Sequence, residues 1–191
     1  MTKLEALNEV LDGVGVRPVT EYESAHPDAS PARRHLNQNN EEIQSVGWWC
    51  NREKDFSLPP DAVTKKILLP SNTLHVNPVN KLLNYVKRGK YLYDADGHTF
   101  EFDAPVVVHL TTQLEFEDLP IPLQRYIVRT ATYTFSVSRE GDQNKIKDQA
   151  QQALMARSLA YTTELKMMNY NAMSTRVAAR LLGGINPVSR R

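Results

Sequence analysis

The chain has a single cysteine among its 191 residues and no apolar run long enough to cross a membrane. Cys50 has no partner within the chain, which excludes an internal disulfide and a zinc site made of clustered cysteines. The N-terminus also lacks the apolar core of a signal peptide. These absences predict synthesis in a reducing cytoplasm, without membrane insertion.

Sequence motifs that mark common active sites are also missing. We find no Gly-rich dinucleotide fingerprint, no P-loop, no H-E-x-x-H and no G-x-S-x-G. The histidines are scattered at spacings that place no ligand pair on one helix face: His26, His35, His75, His98 and His109. Asp94 to Gly97 resembles the start of a calcium loop, but Pro105 stands where the closing glutamate belongs. The sequence therefore predicts no catalytic residue, no cofactor and no metal ion.

One enzymatic alternative rests on three carboxylates, those of Glu115, Glu117 and Asp118. Glycan hydrolysis uses two carboxylates about 5 to 9.5 Å apart whose environments separate their pKa values. The three acids precede a predicted helix, however, and acids there are favoured by the helix dipole without doing chemistry. A glycan hydrolase is the less favoured interpretation.

Net charge is +1, but its distribution along the chain is uneven. Residues 1–47 have 4 basic and 8 acidic side chains, a net charge of −4, whereas residues 119–191 have 11 and 4, a net charge of +7. Ends of opposite sign favour head-to-tail contacts between copies. A free nucleic-acid-binding protein, working through Arg33, Arg34 and the basic C-terminus, is a second alternative.

The N-terminal third predicts two helices joined by a long surface loop. Thr2 and Glu5 form a capping box for the first helix, which Gly13 closes. Ser30 is predicted to cap the second helix, with Pro31 at its first position and Gly47 after its end. The apolar face of this second helix is expected to comprise Leu36, Ile43 and Val46.

Residues 118–170 predict two further helices, with a break at Gly141. Asp118 is the expected cap of the first. Its predicted buried face has helical spacing and comprises Leu119, Leu123, Tyr126, Ile127, Ala131 and Phe135. The second is unusually long, and its predicted apolar stripe comprises Ile146, Ala150, Ala153, Leu154, Tyr161, Leu165 and Met168.

The segment between the helical parts favours β-structure. Residues 73–79 and 106–110 have the composition of strands, and residues 91–103 predict a hairpin that turns at Asp94 to Gly97. The predicted fold class is therefore α+β. A helical domain of residues 1–47 and 115–170 has a small antiparallel β domain, 48–114, inserted into it.

Two sets of residues are candidates for contacts with partners. Trp48, Trp49 and Tyr161 are predicted subunit-interface residues, because aromatic side chains at an element junction are more often core or interface than ligand-stacking platforms. Residues 171–191 form a basic tail without an acidic residue, and we expect this tail to order on a partner surface. Its docking candidates are Arg176, Arg180, Leu181, Leu182, Arg190 and Arg191.

Four stretches, taken in order, resemble the tail tubular protein A family of short-tailed phages. They are LNEVLDGVGVRPVTEYE, ARRHLNQNNEEIQSVGWWCN, LPPD and LPIPLQRYIVRTATYTF. The resemblance covers residues 4–60 and 119–170. None of these motifs is catalytic, so they are specific as an ordered set.

The resemblance implies a structural virion protein, the head-to-tail adaptor of a short tail. It implies a twelve-subunit ring between the portal protein and the tail nozzle protein, tail tubular protein B, with a channel that double-stranded DNA crosses during genome ejection. The basic tail would then dock on the portal. A tail-associated glycan hydrolase using the carboxylates at 115–118 stays as the alternative.

Overall fold

A computed structural model of the chain describes residues 1–139 and 142–173. Within these residues, helices at both ends of the chain enclose a run of short antiparallel strands, so the predicted α+β class is confirmed. The helices are α1 (Lys3–Asp12), α2 (Ala29–Ser45), α3 (Ile121–Arg139) and α4 (Gln143–Met173). The strands are β1 (Arg52–Leu58), β2 (Thr73–Pro78), β3 (Tyr85–Arg88), β4 (Tyr91–Asp94) and β5 (Val106–Thr112).

Helix α1 begins as its sequence predicts. The Thr2 hydroxyl accepts a hydrogen bond from the Glu5 N–H, and the Glu5 carboxylate accepts one from the Thr2 N–H, which completes the capping box. At the other end, Gly13 lies against α3, and a Cβ added to it would stand 2.3 Å from the Thr132 Cγ2 atom. A glycine therefore allows the end of α1 to pack closely on α3.

Helix α2 begins earlier than predicted. Asp28, not Ser30, precedes the helix, so Ser30 and Pro31 lie in its first turn, where a missing backbone N–H is tolerated. Its predicted buried face is right for Leu36 and Ile43 but wrong for Val46, which is 61% exposed. Val46 follows the last helical residue, and Gly47 adopts a φ of +78°, which turns the chain away.

Helix α3 buries the face that its spacing predicts, since Leu119, Leu123, Ile127, Ala131 and Phe135 are all buried. The predicted cap was wrong, however. Asp118 ends a short 3₁₀ turn, and α3 begins three residues later at Ile121, with Pro120 accepting the first backbone hydrogen bonds through its carbonyl.

Helix α4 buries only part of its predicted apolar stripe. It packs against α3, and its buried side chains are those of Ala153, which the stripe includes, and of Ala160 and Glu164, which it does not, whereas most of the large apolar residues are exposed. Leu154 is 62% and Leu165 59% exposed. Small side chains at a helix contact let the two axes approach closely, so alanine determines the packed face of α4.

Two antiparallel sheets make up the β-structure. Strand β5 lies between β1 and β2 in a three-stranded sheet, and β3 pairs with β4 in a hairpin. The predicted hairpin of residues 91–103 was wrong in its pairing. Gly89, at a φ of +60°, makes the tight turn from β3 to β4, whereas the chain after Thr99 leaves toward Lys65, whose carbonyl accepts the Phe102 N–H.

Two hydrophobic clusters form, one among the helices and one among the strands. The helical cluster includes Leu7, Trp48, Ile127 and Ala160. The strand cluster includes Leu58, Ile67, Leu69, Val76, Leu92, Phe102, Val108 and Leu110. Trp48 thus packs with the helices although the predicted boundary assigns it to the β domain; the domain boundaries themselves stay a prediction.

Candidate functional site

The junction between the helices and the three-stranded sheet is held by two buried amides. Gln44 at the end of α2 donates to the Leu114 carbonyl at 3.0 Å and accepts from the Leu114 N–H at 2.8 Å. Asn51 accepts from the Trp48 N–H and donates to the carbonyls of Gln44 and Thr112. Because buried amides that lose a partner are costly, these bonds fix the sheet against the helices.

The predicted interface aromatics meet at this junction. The Trp48 ring lies 4.9 Å from Tyr161 of α4 and 6.2 Å from Tyr126 of α3, measured between centroids, and its indole N–H donates to the Ile43 carbonyl. Trp48 is only 1% exposed, so it packs inside the subunit and offers no surface to a neighbour. Trp49 is partly buried and Tyr161 is 38% exposed, and their place at a subunit interface stays a prediction.

Glu164 is a junction residue that the sequence did not predict. One of its carboxylate oxygens accepts the Trp49 N–H at 2.8 Å, and the other forms an ion pair with Arg52. Glu164 is 8% exposed, and it joins α4 to the start of β1. The sequence feature that could have revealed Glu164 is an acidic residue within the apolar stretch of α4.

Next to this ion pair lies the lone cysteine. Burial raises the pKa of the Cys50 thiol from 9.0 to about 11, so the unreactive protonated form dominates at neutral pH. The Cys50 residue is free and partly buried.

Two of the three candidate carboxylates, those of Glu115 and Glu117, contact the start of α1. The Lys3 ammonium is 2.5 Å from a Glu115 oxygen, and the Lys3 N–H donates to Glu117 at 2.9 Å. That hydrogen bond lowers the pKa of Glu117, whereas a glycosidase general acid needs a raised one. These contacts tie α1 to the 3₁₀ turn before α3.

Two other residues that the sequence singled out, Asp94 and Arg33, make contacts within the chain. The Asp94 carboxylate accepts the N–H groups of Asp96 and Gly97 and so closes a turn. Arg33 donates to the Tyr22 carbonyl and pairs with Glu23.

Over residues 1–139 and 142–173, no group of three or more His, Cys, Asp or Glu side chains is arranged to hold a metal ion. No helix in this part of the chain combines the length and apolar character of a membrane span.

An open groove lies between α1, α3 and α4. Its volume is about 1070 Å³, and its floor includes Ile121, Met155 and Leu159, all well exposed. The predicted docking residues lie outside the part of the chain that the structure describes: Arg176, Arg180, Leu181, Leu182, Arg190 and Arg191.

Comparison with known proteins identifies the family. The family model described as Tail tubular protein matches residues 4–176, which is nearly the whole chain. The chain belongs to the tail tubular protein family. It is 28% identical over 182 residues to tail tubular protein A of Klebsiella phage KP34, covering 95% of this chain and 96% of that protein.

Membership of the tail tubular protein family confirms the resemblance read from the helical motifs. It makes this chain a bacteriophage virion protein and a component of the tail. The match also extends across residues 62–118, where the quoted motifs did not reach.

Proposed function

We propose that this tail tubular protein is a head-to-tail adaptor that closes into a ring between a portal and a tail nozzle. The observation that carries this proposal is the exposed apolar surface of α4. Leu154, Leu165 and Met168 are about half exposed or more, although α4 also has a well-packed face. Contiguous exposed apolar side chains mark a surface that a partner covers.

The proposed ring contains twelve copies and lies between the portal protein and the tail nozzle protein, tail tubular protein B. Its channel would let double-stranded DNA pass during genome ejection. A channel surface that binds phosphates only weakly would let the DNA slide. The rigid junction between helices and sheet supports such a role, because a channel wall must keep its shape under load.

The basic C-terminal tail is the proposed portal contact. It carries four arginines and no acidic residue, so an acidic or grooved portal surface would attract it. Deleting residues 174–191 should abolish attachment to the portal while thermal unfolding of the chain stays unchanged. Unchanged attachment of the truncated chain would contradict this part of the proposal.

The ring itself is tested by electron microscopy and native mass spectrometry, on the chain alone and on its mixture with portal from the same phage. A closed ring, or a layer of twelve copies added to the portal, is the expected result. A chain that stays monomeric and leaves the portal bare would contradict the adaptor function.

We also propose that the protein has no enzymatic activity, and the glycan hydrolase is the weaker alternative. Glu115 and Glu117 are engaged by Lys3, and the pKa of Glu117 is lowered. Release of reducing ends from capsular polysaccharide, abolished by Glu115→Gln or Glu117→Gln, would establish the alternative instead.

A further inference from the structure

Two exposed apolar surfaces lie on different sides of α4. The first, which we name the ridge, consists of Leu154, Tyr161, Leu165 and Met168, which are 62%, 38%, 59% and 47% exposed. Their spacings of seven, four and three residues place them within about 60° around the helix axis. Such a narrow seam is typical of a helix side that packs into another helix or a groove.

The second surface is the groove between α1, α3 and α4. Its apolar floor includes Ile121, Met155 and Leu159, which are 64%, 61% and 50% exposed. Met155 and Leu159 lie about 130° around α4 from the ridge. A single copy cannot bury its own ridge in its own groove, because both belong to one rigid helix.

The two walls of the groove carry charges of opposite sign. The α1 wall of the groove carries the carboxylates of Glu5, Glu9 and Asp12, and the α3 wall carries Arg125 and Arg129. Across the described part of the chain, we find no ion pair for Glu9, Asp12, Arg125 or Arg129.

The ridge, by contrast, has basic neighbours. Lys147 lies on the same side of α4, and the Arg157 guanidinium stands 5.5 Å from the centre of the Tyr161 ring. The acids of α4 lie elsewhere, since Asp148 lines the groove side and Glu164 is buried. An apolar ridge with basic flanks thus matches the apolar floor and the acidic α1 wall, when its basic side faces away from Arg125 and Arg129 of the α3 wall.

We propose that the ridge of one copy inserts into the groove of a second copy. This inference rests on the proposed ring and identifies its lateral contact. Because each copy contributes a different surface to each contact, the interface is heterologous and propagates from copy to copy until a rotation closes it. One contact type, repeated around the axis, then builds the whole ring.

The test uses variants that each inactivate one surface. In the ridge variant, Leu154→Glu is combined with Leu165→Glu, and in the groove variant, Met155→Glu is combined with Leu159→Glu. All four side chains are at least half exposed, so the fold should survive, which circular dichroism and thermal unfolding would verify. Leu82→Glu is the matched control, because Leu82 is 88% exposed but lies in the β-structure.

Each double variant alone should lower the assembled fraction about tenfold or more, measured by native mass spectrometry, whereas the control should assemble like the wild type. A one-to-one mixture of the two variants should give a heterodimer and nothing larger, since it contains one intact ridge and one intact groove per pair. If the wild type assembles only on the portal, the same variants are compared by the number of copies that the portal binds. The mixture should then add nothing larger than pairs of copies to the portal.

The outcomes separate this inference from the adaptor function. Rings formed equally by the wild type and a double variant would overturn the ridge-to-groove contact and leave the adaptor standing. Where the wild type assembles on its own, a mixture that remains monomeric would also overturn it, because the intact surfaces would then not bind each other. A wild-type chain that assembles neither alone nor on the portal would overturn both.

Discussion

Helices α3 and α4 pack against each other, yet they use their large apolar side chains in opposite ways. Helix α3 buries Leu123, Ile127 and Phe135 within the chain. Helix α4 offers alanines to α3 and directs Leu154 and Leu165 outward. The apolar surface of α3 therefore stabilises one folded copy, and that of α4 is available to a neighbour.

This difference separates folding from assembly within one helical pair. A side chain buried inside the subunit contributes to the free energy of unfolding of a single copy, whereas an exposed one contributes little until a partner covers it. Substitutions in α3 should therefore affect stability, and substitutions of the exposed residues of α4 should affect assembly.

The largest expected effect is that of Phe135→Ala in α3. Phe135 is 1% exposed and packs against His35, so its truncation should lower the free energy of unfolding by about 3–5 kcal/mol. The matched substitution Leu165→Ala in α4 should change it by less than about 0.5 kcal/mol. Urea unfolding at concentrations where the chain is monomeric checks both, and equal losses would contradict the contrast between the helices.

Cys50 reports on whether the C-terminal half of α4 stays packed. Glu164 lies close enough to the thiol to raise its pKa, and burial has the larger effect. A pKa of about 11 instead of 9.0 makes the thiolate about 100-fold scarcer at pH 8, and the greater nucleophilicity of a thiolate with a higher pKa offsets about half of this loss on a logarithmic scale. A disulfide reagent should therefore label native Cys50 about tenfold more slowly than the unfolded chain. Labelling at the unfolded rate would mean that this half of α4 does not stay on the bundle.

Glu164→Ala tests the buried carboxylate through which α4 contacts Trp49 and Arg52. It removes the acceptor for the Trp49 N–H and the partner of Arg52, which should cost about 1.5–3 kcal/mol of unfolding free energy. Lys166→Ala, two residues away and exposed, is the control and should be nearly neutral. The same pair of variants should separate in Cys50 labelling, with only Glu164→Ala accelerating it.

Ala160→Leu tests the closeness of the α3–α4 contact and should have the smallest of these effects. Ala160 is fully buried, and three added carbons would force the helices apart at a cost of about 1–3 kcal/mol. Thr162→Leu places the same side chain on the exposed side of α4 and should leave thermal unfolding nearly unchanged. If Ala160→Leu were equally neutral, alanine would not determine the packed face.

The sequence predicted those elements correctly whose stabilising interactions lie between residues close together in the chain. The Thr2 capping box, the α3 face and strand β5 follow from residues within a few positions of one another. The stripe of α4 predicted Ala153 but missed Ala160, because large apolar residues dominate a periodic pattern although most of those in α4 are exposed. The predicted pairing of β4 was wrong because β4 has a turn on each side through which it could form a hairpin. The tertiary contacts of residues 99–102 favour the hairpin that turns at Gly89.

The junction was the least predictable part of the candidate site. Gln44 meets Leu114 across 70 residues, and Glu164 meets Trp49 across 115. No spacing rule connects such distant polar residues, because their pairing depends on how the sheet and helices come together. Trp48 and Tyr161 were noticed for their aromatic character, but the amides and the carboxylate beside them were not.

Helix α4 also continues well beyond Ala160. Glu164 is the final buried side chain that the structure describes in α4, and the helix continues to Met173, about 14 Å further. A tilt of about 5° of the helix at Ala160 would move the Met173 backbone by about 1.7 Å. In the proposed ring, Leu165 and Met168 lie in the groove of a neighbouring copy, so a slight repacking at the alanine contact would be transmitted from each copy to the next.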